Sequence, residues 1–165
     1  MRSAGRIAAA VAGAALLIAL TGCTPSGSNG TAVAAGDALA GIAGLRSTSV
    51  DVETFGDGHD IAVTAFIEDG YTVQKPEQFA EYLLKLAWSV DDTKPDQGLI
   101  LTVVPGADGD FNIADALADG GWVEPAKDPD PLVIFIAPDQ LNSMDKLGTW
   151  PGPSPKLPAG TLAKR

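Results

Sequence analysis

The chain has 165 residues and a formal net charge of −10, from 21 acidic against 11 basic residues. That length suits one domain, and a surface this acidic is repelled by a phosphate backbone, which excludes nucleic acid as a partner. A single cysteine, Cys23, and a single histidine, His59, exclude an internal disulfide, a cysteine metal site and the multi-histidine sets of most zinc enzymes.

The chain opens with MRSAGRIAAAVAGAALLIALTGC, from Met1 to Cys23. Arg2 and Arg6 make a positive start with no acid beside them, and Ile7 to Leu20 is an uncharged run of fourteen residues. A membrane-spanning helix needs about 20 apolar residues, so this run is a secretory signal rather than a span. It ends in LTGC (Leu20, Thr21, Gly22, Cys23). That stretch resembles the lipobox of bacterial lipoprotein precursors, in which a leucine and two small residues precede the cysteine. The resemblance covers the segment from Met1 to Cys23. It implies cleavage between Gly22 and Cys23, a diacylglyceryl group on the Cys23 sulfur, acylation of the new amino group, and a membrane-anchored domain on the extracytoplasmic face. Two or more acyl chains hold a protein on a bilayer stably where one does not, at about 0.8 kcal/mol per buried CH₂. Cleavage leaves a chain that starts at Cys23, removes two arginines and moves the formal charge to −12. It also leaves no free thiol, so the exported domain must be held by its core.

Residues 23–36 are small, polar and glycine-rich, and the composition predicts a flexible tether. The domain is expected over 37–148. Leu39, Ile42 and Leu45 have helical spacing, with Asp37 as the cap of a helix over 37–45. Thr48 to Phe55 alternates and Ile61 to Ile67 is β-rich; with GDGHD between them they predict a hairpin. Pro76 to Val90 is the strongest helix: proline suits its first turn, and Phe79, Leu83, Leu86, Ala87 and Val90 form one apolar face. Leu99 to Val104 and Leu132 to Ala137 read as buried strands. Asn112 opens a short helix that ends at Gly120 and Gly121, and another passes through Leu141, Met144 and Leu147. The closing segment, 149–165, is proline-rich and predicts a disordered tail. The order of elements predicts an α+β fold, a single mainly antiparallel sheet packed against helices in a ferredoxin-like sandwich.

Residue types that carry chemistry are scarce. His59 lies between Asp57 and Asp60, and as a functional residue would be a general base, a pH-sensitive polar contact or one metal ligand; as an isolated histidine in a turn it is more simply a solvated residue. Asp108, Asp110 and Asn112 have the spacing of a calcium loop. Ile113 stands where that loop needs glycine, however, and Asp119 where it needs a bidentate glutamate, so a helix cap at Asn112 is the simpler account. No metal or other cofactor is expected. The acids occur in adjacent pairs such as Glu68 and Asp69 or Asp91 and Asp92, which suits solvated turns; hydrolysis by carboxylates needs two of them held about 5–10 Å apart across a cleft. Trp88 and Trp122 read as packing residues. Trp150 either clamps the tail to the domain or joins PSPKLP as an extended ligand for a partner, and composition favours a tail that docks weakly.

These observations point to a lipid-anchored, non-enzymatic binding or accessory module whose partner is an envelope protein or a small polar ligand. The alternatives are a carboxylate-dependent envelope hydrolase and an assembly factor that docks through its tail.

Overall fold

In a computed structural model the described residues are 31–107 and 109–165. Cys23, Gly22 and the expected signal and most of the expected tether lie outside them. Among the described residues the fold is α+β, with four α-helices, a mixed four-stranded sheet and a small two-stranded sheet.

The chain enters through α1 (Ala32–Ala40), which starts and ends about five residues earlier than the expected helix over 37–45, so that of its three spacing residues only Leu39 is helical, while Ile42 lies in the following turn and Leu45 begins the first strand. Thr31 is the N-cap, its hydroxyl accepting from the Ala34 N–H at 3.2 Å. Ala32, Ala34 and Ala35 are strong helix formers, so the helix takes over the end of the expected tether. Leu39 and Ala35 are buried. Gly41 closes α1, and Gly44 turns the chain at φ 92° with its Cα against the ring of Tyr71. A side chain there would be strained and would collide with that ring.

Strands β1 (Leu45–Phe55) and β2 (Gly58–Ile67) form the expected hairpin, closed by Gly56 and Asp57 with Gly56 at φ 63°. A short strand β3 (Tyr71–Val73) precedes α2 (Pro76–Trp88). β4 (Gly98–Val104) returns parallel to β2, and β5 (Val133–Ile136) pairs antiparallel with β4. The strand order β1-β2-β4-β5 departs from a ferredoxin-like split arrangement, because the two parallel strands are direct neighbours with none between them. α2 is their crossover and packs on both.

Alternation along the strands separates two faces. Ile61, Val63, Ala65, Leu99, Leu101, Val103 and Ile136 are almost fully buried and meet the helices. The opposite face carries Asp51, Thr64, Thr102 and the half-exposed Phe135, with the Arg46 guanidinium 5.7 Å from the centre of the Phe66 ring. On α2 the expected face of Phe79, Leu83, Leu86 and Ala87 is buried, and so are Ala80, Tyr82, Leu84 and Trp88. The helix is buried on more than one side because α3 (Ile113–Asp119) packs along it and the C-terminal segment crosses its end. Phe79 meets Phe111 edge-on, 5.5 Å between centroids. α4 (Pro138–Ser143) and a turn of 3₁₀-helix (Asp145–Leu147) follow β5 and bury Leu141 and Leu147.

The expectation of a disordered tail over 149–165 does not hold. Trp150, Leu157 and Leu162 pack against the core, and the chain ends in β6 (Leu162–Lys164), antiparallel to β3. Prolines remove backbone donors, so this segment is fixed by a few specific contacts instead of a regular ladder.

Candidate functional site

The histidine of GDGHD begins β2, and its neighbours in sequence do not converge on it. Successive strand residues point to opposite faces, so His59 and Asp60 are separated by the sheet, and Asp57 is exposed in the turn. The acid that does face His59 is Asp96, from the loop before β4. Asp96 Oδ1 lies 4.0 Å from His59 Nδ1 and accepts the His59 backbone N–H at 2.6 Å, while the Gln97 N–H donates to the His59 carbonyl at 3.0 Å. These bonds pin the loop to β2; only this long-range contact, invisible in a chain with so many acids, marks Asp96 out. Asp60 is 6% exposed, and its Oδ1 has no hydrogen-bond partner among the described residues. Burial, and then the negative charge of Asp96, raise its pKa from the ordinary value of 3.8.

The stretch from Asp110 to Asp119 forms one side of a second feature, a cleft of about 240 Å³ between β3 and α3. Asn112 caps α3: its Oδ1 accepts from the Ala114 and Asp115 N–H groups at 2.9 and 3.2 Å. That oxygen is occupied in the helix cap, which is the simpler of the two expected accounts. Asp108 lies outside the described residues. Asp115 and Asp119 sit one helical turn apart on α3 and share a wall of the cleft. Paired-carboxylate hydrolysis instead puts its two acids on either side of the scissile bond. Among the described residues no group of three His, Cys, Asp or Glu side chains is arranged to hold a metal ion.

The third feature is a groove of about 550 Å³ between α2 and the C-terminal segment, inside the range of about 300–1,000 Å³ typical of small-molecule sites. Trp150 anchors the start of that segment outside the groove: its indole N–H donates to the Val90 carbonyl at 3.0 Å. Two residues on, the Gly152 N–H donates to the Trp88 carbonyl at 3.1 Å, so the segment straps across the end of α2. A Cβ on Gly152 would lie 2.9 Å from Trp88 Cδ1, and glycine is what permits the crossing. Further along, Lys75 Nζ donates to the Ala159 carbonyl at 2.9 Å, the Gln74 N–H to the Thr161 carbonyl at 2.8 Å, and the Arg165 N–H to the Gly70 carbonyl at 2.8 Å. Trp150 is therefore a clamp in this fold.

Tyr82, Lys85 and Trp88 from α2 form one wall of the groove; Pro153, Pro155 and Lys156 form the other, and Lys146 stands at one end. Lys85 pairs with Glu81, one helical turn away. The ammonium groups of Lys85 and Lys146 lie 5.5 and 5.7 Å from the centre of the Trp122 ring, within cation–π range. The Trp88 indole N–H is buried with no acceptor among the described residues. Burial also raises the Tyr82 phenol above the ordinary value of 10.0. Sequence reading missed this groove, because its lysines are far apart along the chain and meet only through the tertiary fold.

Comparison with family models, with curated proteins and with solved structures finds no match.

Proposed function

We propose that the protein is a lipid-anchored binding or accessory module on the extracytoplasmic face of a bacterial membrane. The observation that carries this reading is the register of LTGC with the arginines and the fourteen-residue apolar run before it. Each part suits a different step of export and lipidation, and the cysteine falls at the expected end. With α1 beginning at Ala32, the eight residue steps from Cys23 to Thr31 reach at most about 28 Å at full stretch. A domain with a formal charge of −12 is repelled by anionic headgroups and would use that leash to stand away from them. Binding is favoured over catalysis because the polar residues singled out from the sequence, His59, Asp57 and Asp60, point in different directions, whereas the groove between α2 and the C-terminal segment is lined by lysine, aromatic and proline side chains. Docking through a free tail has less support, since the tail's contacts are made within the chain.

The test is fractionation of cells carrying Cys23→Ser, with intact-mass analysis of the product. The wild-type chain is expected in the membrane fraction at the mass of a form cut before Cys23 and acylated. The variant is expected uncleaved or soluble. A cleaved Cys23→Ser product that stays in the membrane, or a wild-type product without acyl groups, would contradict the proposal.

A further inference from the structure

We propose that the groove between α2 and the C-terminal segment binds a small organic anion, a phosphate or carboxylate group carried on a flat or apolar body. The assignment refines the binding-module reading but does not depend on the lipid anchor.

Beyond Gly22 the chain has nine lysines and arginines, and three of them, Lys85, Lys146 and Lys156, line this one groove in a domain of formal charge −12. They come from α2, the 3₁₀ turn and the C-terminal segment, so it is the fold that assembles them. The single acid of the lining, Glu81, is already paired with Lys85, which leaves Lys146 and Lys156 as an excess of positive charge. Gathering like charges is unfavourable unless an anion offsets them.

The walls define the rest of the ligand. Tyr82 and the prolines offer apolar and aromatic surface to a ligand body of drug-like size, which the groove's 550 Å³ accommodates. Trp88 contributes a buried indole N–H that lacks an acceptor among the described residues, next to Gly152 on the groove's edge. Lysine supplies point charges rather than a fixed fork, so phosphate and carboxylate are both acceptable head groups. The same head group could belong to a free metabolite or to an anionic lipid. The domain's overall negative charge opposes approach to an anionic bilayer, so the ligand is assigned to the soluble class.

The test is calorimetric titration of 1-naphthyl phosphate into the full chain in phosphatidylcholine nanodiscs, with empty nanodiscs as the blank. Saturable binding with Kd on the order of 100 µM is expected. Lys146 and Lys156 are both exposed, so reversing them should leave the fold intact, which circular dichroism will check. The double variant Lys146→Glu/Lys156→Glu should weaken binding by about tenfold or more. A charge-matched control, Lys127→Glu/Lys164→Glu, should change it less than about threefold. Nanodiscs containing phosphatidylglycerol should leave the wild-type affinity unchanged. Absence of saturable heat, or equal losses in the two double variants, would overturn the site. Competition by phosphatidylglycerol would overturn the assignment to a soluble ligand. Membrane attachment is read separately, so failure here and failure of the lipid anchor are distinguishable.

Discussion

The two ends of the described chain are attached to the same core in different ways. At the N-terminal end a capped helix, α1, docks against β1 and sinks Leu39 to zero exposure. At the C-terminal end no helix forms, and the segment is held by an indole hydrogen bond, a glycine crossing, a lysine contact and a three-residue strand. One attachment is concentrated in a buried leucine; the other is distributed from Trp150 to Lys164. The difference matters for function, because a distributed strap can run along α2 and leave a groove beneath it, whereas a packed helix would fill that space.

Substitutions should separate the two modes. Leu39→Ala is expected to cost about 3 kcal/mol, the loss of a fully buried leucine plus a cavity, and denaturant unfolding will measure it. Gly152→Ala should cost about 1–2 kcal/mol, since its Cβ would press on the Trp88 ring and push the strap outward. Trp150→Phe keeps most of the ring, loses the bond to the Val90 carbonyl, and should cost about 1 kcal/mol. If Trp150→Phe destabilises the protein as much as Leu39→Ala, the C-terminal attachment is concentrated in one residue and the contrast fails.

The smallest effect lies away from both ends, at Asp60. Its carboxyl binds a proton more tightly in the folded chain than in the unfolded one, so stability falls as pH rises from near 3.8 through the folded-state value. Neutral pH therefore carries the cost of a buried charge. Asp60→Asn should raise stability at pH 7 by about 1 kcal/mol or less, with the gain shrinking as the pH is lowered. Unfolding curves at several pH values test this. A loss of stability at pH 7 would show that an ionised Asp60 has a favourable partner.

Much of the fold is legible in the sequence where a pattern repeats within one element. The helical period of Phe79, Leu83, Leu86 and Ala87 identifies α2, although the helix stops at Trp88 and leaves the expected Val90 beyond its end, and the β-rich runs identify β2 and β4. What escapes is whatever depends on distant partners. β3 and β6 have three residues each, too few to show alternation, and each becomes a strand only because the other lies beside it. The start of α1 is misplaced because its alanines carry helix propensity but little periodicity, so the cap at Thr31 goes unnoticed beside Asp37. Proline content denies the tail a helix or a central strand, but it says nothing about docking through Trp150 and Gly152. The same limit governs the candidate sites. GDGHD looks like a cluster on paper, and strand alternation takes it apart; Lys85, Lys146 and Lys156 look unrelated, and the strap brings them to one groove.

Residues 149–165 belong to the folded body, and part of that segment forms one wall of the groove. Amide hydrogen exchange on the full chain can decide this. The Gly152 N–H, bonded to Trp88, and the Gln74 N–H, bonded to Thr161, report the strap from both of its sides. Strong protection at both amides, lost at Gln74 when residues 149–165 are deleted, is the predicted result. Exchange of both at the rate of an unstructured peptide in the intact chain would contradict it.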